Sequence, residues 1–118
     1  MSTVYMKLNE GPYRMISSGT KTVEVRLYDE KRRTLKEGDI IIFGELPSLQ
    51  NTLCRRISRV VRFGSFAELF RAYPNEAVGC GEGDNAGDFT HAMRKYYTEA
   101  DEKKYGVCAI ELLPCDNE

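Results

Sequence analysis

Gly19-Thr20-Lys21-Thr22-Val23-Glu24-Val25-Arg26 is the stretch on which the reading of this chain turns. Upstream, Asn9-Glu10-Gly11-Pro12 has the form of a helix start, with Asn9 or Glu10 as cap and Pro12 in the first turn. Tyr13, Met15 and Ile16 give a short apolar stripe, and Gly19 supplies the left-handed stop. The pattern predicts a helix over residues 11–18. From Thr22 to Leu27 the pattern changes to strict alternation. Val23, Val25 and Leu27 face one way; Thr22, Glu24 and Arg26 face the other. Lys21 stands at the mouth of this strand, so an amine, a carboxylate and a guanidinium fall close together. Such a group can hold a phosphate or a polar base edge, Lys and Arg donating and Glu accepting. It can equally be an ordinary solvated strand face with a Glu–Arg pair.

Working outward, Asp29 to Lys36 reads as a charged connection, and Gly38-Asp39 as a turn into a buried strand, Ile40 to Phe43. Pro47-Ser48 marks a loop, and Thr52 to Phe63 is a long strand rich in Val, Ile and Arg. Ser65-Phe66-Ala67-Glu68 is a capping box that opens a helix ending near Pro74. The glycine-rich segment Gly79 to Gly87, with Glu82 and Asp84, reads as a mobile loop, a lid or more simply a spacer. Asp88 is then expected to cap a helix with Phe89, Ala92, Met93, Tyr96 and Tyr97 on one face. Thr98 caps a last turn to Lys104, Gly106 closes it, and Val107 to Leu113 is a final strand before a frayed tail, Pro114 to Glu118. With Thr3 to Leu8 as a first strand, this is one domain over residues 1–118. Strands without regular strand–helix alternation predict an α+β fold, a small antiparallel or mixed β-barrel of five or six strands with inserted short helices.

The formal net charge of -1, from 17 Lys+Arg and 18 Asp+Glu, argues against a nucleic-acid binder if taken whole. Divided, it reads otherwise: residues 1–75 carry 13 basic and 8 acidic side chains, and residues 76–118 carry 4 and 10. Lys31, Arg32, Arg33 and Lys36 follow the signature strand. Arg55, Arg56, Arg59 and Arg62 lie on the long strand, where simple alternation puts Arg56 with Arg62 and Arg55 with Arg59. Phosphate contact is one reading of this basic stripe. Exposed strand residues that blunt aggregation or meet the acidic half are the other. Tyr96 is expected in the core with Met93 and Phe89, Tyr97 at its rim, and Tyr105 at a helix-to-strand turn. Exposed tyrosines beside a basic groove can stack on bases.

Other classes are excluded on physical grounds. No apolar run approaches the roughly 18 residues a membrane span needs. Met1 to Lys7 has no signal-peptide pattern. Both observations predict a cytoplasmic protein. Cys54, Cys80, Cys108 and Cys115 contain no Cys-x-x-Cys pair, and the only histidine, His91, is expected on a helix surface. Four free thiols, with no metal and no cofactor, are the expectation. The glycine-rich loop matches neither phosphate-binding glycine pattern, and its charge is negative.

The Gly-x-Lys-x-x-Glu-x-Arg pattern of residues 19–26 resembles the signature of ASCH domains (activating signal cointegrator homology). The resemblance continues through Leu27 to Arg33, Gly38 to Phe43, Phe63 to Phe70, Tyr96 to Glu99 and Tyr105 to Ile110, in the family's order. It implies a PUA-like β-barrel with a cleft that binds RNA, a nucleotide or a modified nucleoside. By the resemblance Lys21, Glu24 and Arg26 would line that cleft, with Tyr97 and Tyr105 as neighbours; the basic stripe separately offers Arg32, Arg33 and Arg56 as contacts to the RNA backbone. Relatives that deacetylate N4-acetylcytidine share the lysine but use a threonine nucleophile three residues later, where this chain has Glu24, with Thr22 nearby but off the motif. Other relatives resemble ribonucleases, a chemistry in which Lys21 and Glu24 would act as acid and base or as charge stabilisers. A small hydrolase acting on a nucleoside amide or on RNA is therefore the alternative to a binding protein. The oligomeric state is left open.

Overall fold

A computed structural model of the chain describes residues 2–81 and 85–115. The expectations for Glu82, Gly83 and Asp84 of the glycine-rich loop, and for the end of the tail, lie outside the described residues. The elements are β1 (Thr3–Leu8), α1 (Glu10–Ser17), β2 (Val23–Leu27), α2 (Glu30–Arg33), β3 (Ile40–Glu45), β4 (Thr52–Phe63), α3 (Phe66–Ala72), a 3₁₀ turn (Glu76–Val78), α4 (Ala86–Met93), α5 (Glu99–Tyr105) and β5 (Val107–Pro114). The five strands form one mixed sheet in the order β1-β3-β4-β5-β2, with β1 parallel to β3 and the other pairs antiparallel. The sheet curls into a half-barrel, an α+β fold of the PUA-like kind.

Curling gives the sheet two buried faces. Met6, Leu8, Ile41, Phe43, Ile57, Cys108, Ile110 and Leu112 fill the concave side together with Ile16 of α1. Val23, Val25, Leu27, Val107 and Ala109 meet Phe66, Leu69 and Phe70 of α3 and Phe89 of α4 on the convex side. β5 lies between, so Val107, Cys108, Ala109 and Ile110 are all fully buried. That is why its sequence is a continuous apolar run rather than an alternating one. Buried Glu102 ties the helical layer together: it accepts from the backbone N–H of Phe66 at 2.6 Å, the first residue of α3, and pairs with Arg94 at 2.5 Å. The carboxylate at that helix start satisfies a donor with no intrahelical partner.

Local chemistry sets the helix ends. Ser65 and Thr98 cap α3 and α5 through their hydroxyls, as the sequence predicts. α2 occupies the charged connection after β2, with Asp29 accepting from Arg32 N–H at its start. α4 departs from expectation at both ends. Its cap is Asn85, in a reciprocal capping box with Asp88, so Asp88 lies inside the helix. The helix also stops at Met93, and Arg94, Lys95 and Tyr96 continue in tighter turns, each N–H reaching back three residues. The tighter winding rotates the following side chains. Tyr96 therefore turns outward, and it is Tyr97 that packs, its ring stacked 5.5 Å from Phe66.

Two further expectations are corrected. The β4–β5 register shifts between Ile57 and Arg59, leaving Ser58 as an extra residue. A bulge flips the alternation beyond it. Arg55 and Arg62 consequently share one face, opposite Pro114 and Cys108, while Arg56 and Arg59 share the other, opposite Leu113 and Glu111. The cysteines are not all free. Cys54 and Cys115 form a disulfide with Cα atoms 5.9 Å apart, leaving Cys80 and Cys108 as thiols. β4–β5 pairing explains the link, because Arg55 opposite Pro114 brings the next residue on each strand together. The cysteines therefore carry no argument for a reducing compartment. Among the described residues no helix is long and apolar enough to cross a membrane.

Candidate functional site

The signature residues are not on a solvated face. Because the sheet curls, Glu24 and Arg26 point to the concave side, where their cross-strand partners are Ile110 and Cys108. Three backbone bonds hold the approach to β2: Lys21 N–H to Met15 O, Thr22 N–H to Ala77 O, and Leu112 N–H to Thr22 O. Gly19, with φ 86°, turns the chain out of α1. Gly79 is required for a different reason. Its φ is 82°, and a Cβ there would stand 2.9 Å from Cδ of Lys21, so the bare backbone makes room for the lysine stem.

Lys21, Glu24 and Arg26 form one buried charge group, with side chains 10%, 4% and 16% exposed. Glu24 Oε1 accepts from Lys21 Nζ at 2.9 Å and from Val25 N–H at 3.2 Å. Oε2 accepts from Arg26 Nε at 2.9 Å and pairs with Nη2 at 2.8 Å. The carboxylate thus accepts three hydrogen bonds and has a second close contact with the guanidinium. Burial pushes the Glu24 carboxyl up, but the Lys21 and Arg26 charges and their hydrogen bonds outweigh burial and hold it below the usual carboxylate range. Burial likewise pulls Arg26 down and Glu24 more than restores it. Glu24 is therefore a fixed anion that positions two cations. Lys21 Nζ keeps two N–H groups, and Arg26 keeps its Nη1 group, without a partner among the described residues.

This group lies on a cavity of about 570 Å³, within the range of about 300–1,000 Å³ common for small-molecule sites. The walls are largely apolar, with Met15, Phe70, Val78, Phe89 and Met93 among them. Tyr96, 61% exposed, and Tyr97 also line it. Burial raises the Tyr97 phenol above its ordinary value. Gly79, Cys80 and Gly81 put the start of the glycine-rich segment on the cavity wall. Among the described residues the lining carries three cations, Lys7, Lys21 and Arg26, against one carboxylate, Glu24. By its chemistry such a lining complements acceptor-rich groups at its floor and flat apolar rings at its sides.

The remaining sequence candidates divide. Arg32 lies near the site but lines a second cavity that also touches Arg26. Arg33 donates to Tyr28 O and stacks on the Tyr28 ring, which Arg62 also covers, at 5.7 and 5.5 Å respectively. Arg56 faces away across β4, and Tyr105, beneath Lys104, packs against the convex core. Arg33, Arg56 and Tyr105 line neither cavity. Other strand arginines have structural work: Arg55 donates to Ile16 O at the end of α1, and Arg59 pairs with Glu111. Sequence reasoning missed Lys7, Met15, Cys80 and Tyr96. Their convergence depends on the curl of the sheet and the early end of α4, which no local pattern encodes. Burial pushes the Cys108 thiol up to about 12, so it is not a nucleophile at neutral pH. Among the described residues no cluster of three or more His, Cys, Asp or Glu could hold a metal ion.

A model of the ASCH domain matches residues 6–116. No curated protein matches the chain. Among solved structures, the crystal structure of hypothetical protein PH0355 superposes with a TM-score of 0.84 at 37% identity, covering 96% of this chain and 99% of that one. The solution NMR structure of protein PF0455 from Pyrococcus furiosus superposes at 0.71 with 34% identity, covering 97% and 98%.

Proposed function

The chain belongs to the ASCH domain family, which is linked in general to RNA binding, and from that premise we propose that it binds RNA or a nucleotide in the cavity above Lys21, Glu24 and Arg26. The observation that carries this reading is the state of the floor. Glu24 accepts three hydrogen bonds and is held ionised, while among the described residues Lys21 and Arg26 retain donors. The ligand group they favour is a phosphate or a base carbonyl, and Glu24 orients both donors rather than accepting from the ligand. Tyr96 and Tyr97 offer ring faces to a base.

Fluorescence anisotropy with labelled short RNAs and a panel of nucleotides and modified nucleosides, at two salt concentrations, tests this. Lys21→Ala and Arg26→Ala weaken binding and flatten its salt dependence, by about one phosphate contact each where the floor holds phosphate. Tyr96→Ala, an exposed position, weakens binding about tenfold with an unchanged melting temperature. Equal affinity of the wild type and both floor variants refutes the reading. The hydrolase alternative is favoured by one contact, the 2.9 Å pairing of Lys21 Nζ with Glu24 Oε1 on the cavity floor. It requires turnover of a nucleoside amide or of RNA that disappears in both Lys21→Ala and Glu24→Ala.

A further inference from the structure

Arg26 does not end one cavity only; it stands between two. Its Nη2 donates to Lys7 O at 3.0 Å, joining β2 to β1, and Lys7 and Arg26 line both cavities. The second cavity has about 490 Å³ and is also lined by Tyr5, Lys31, Arg32 and Thr52. Among the described residues four cations line it and no carboxylate does. Glu24 compensates Arg26 and Asp29 compensates Arg32 from behind, which leaves Lys7 and Lys31 as surplus positive charge. Arg32 Nε is buried and has no hydrogen-bond partner. Tyr5 is 69% exposed and also lines this cavity.

From these observations we infer that the second cavity is a subsite for the adjoining nucleotide of a single-stranded RNA. Its phosphate lies against Lys7, Lys31 and the shared Arg26, and its base stacks on Tyr5. The inference rests on the reading of the first cavity and sharpens it: the ligand class is a dinucleotide or longer strand rather than a free nucleoside. Two adjacent units of one strand suit this wall, since Lys7 and Arg26 both line the two compartments. The first cavity, with its apolar walls, suits a base; the second, with its cations and ring, suits a backbone phosphate and a stacked neighbour.

Calorimetric titration with the four 5′-mononucleotides and with the matching dinucleotides and tetranucleotides separates the possibilities. At least one dinucleotide is expected to bind about tenfold tighter than its mononucleotide, with a steeper salt dependence. In the double variant Tyr5→Ala/Lys31→Ala that advantage disappears while Lys21→Ala lowers the affinity of both lengths. Equal binding of the two lengths to the wild type, or an advantage that survives the double variant, overturns the subsite and leaves the first cavity's reading standing. Binding of no nucleotide at any length overturns both.

Discussion

Replacing Glu24 by glutamine tests the buried charge group where its energy is concentrated. The carboxylate is 4% exposed and takes four contacts, at 2.9 Å from Lys21 Nζ, 3.2 Å from Val25 N–H, and 2.9 and 2.8 Å from Arg26 Nε and Nη2. Glutamine keeps the shape but presents an NH₂ group to donors on one side, and leaves two cations with no counter-charge. Removing one partner of a buried ion pair costs about 3–5 kcal/mol. For a domain of this size, at about 4 °C per kcal/mol, the expected loss in melting temperature is about 12–20 °C. The pH dependence follows from the direction of the shift. Glu24 is held below its ordinary value of 4.5. Its pairing therefore contributes fully above that value and is lost as pH falls through the lowered one. The gap between wild type and Glu24→Gln, measured by urea denaturation, is thus widest near neutral pH and narrows toward pH 3. Adding Lys21→Met to Glu24→Gln removes one stranded charge and recovers part of the loss, a non-additivity that a solvated strand face would not show. A Glu24→Gln protein within about 1 kcal/mol of wild type at neutral pH refutes the account.

Two other predictions concern the frame around the site. Gly79→Ala is expected to cost about 1–2 kcal/mol from the left-handed backbone alone, and its Cβ displaces the Lys21 stem, so urea denaturation and nucleotide titration should both register it; a variant unchanged in both would show that the close approach is easily relieved. Cys115→Ser opens the link to Cys54 across 61 residues of sequence, for which the chain-entropy estimate is about 4 kcal/mol. Reductant should lower the urea midpoint of the wild type and leave that of Cys115→Ser where it is.

Much of this was legible in the sequence because it is local. The Ser65 and Thr98 caps, the Gly19 stop, the alternation of β2 and the Lys-Glu-Arg spacing each depend on neighbours within a few residues. What was not legible depends on pairing across the chain. Alternation put Glu24 and Arg26 opposite the valines of β2, but only the curl of the whole sheet buries that second face. The Ser58 bulge reversed the partners of four arginines, and no residue type announces it. The Cys54–Cys115 contact follows from the β4–β5 register rather than from cysteine spacing. Tyr96 and Tyr97 exchanged places because a helix tightened after Met93.

The sheet has two free edges, β1 and β2, and among the described residues they are bridged by side chains rather than by a backbone ladder. A barrel closed by a backbone ladder could widen only by breaking several hydrogen bonds together. Among the described residues this seam is latched by charged side-chain bonds, Arg26 to Lys7 O at 3.0 Å and the longer Lys31 to Tyr5 O at 3.4 Å, a class worth about 1.5–3 kcal/mol each. Opening this seam therefore breaks side-chain bonds and unzips no strand pair.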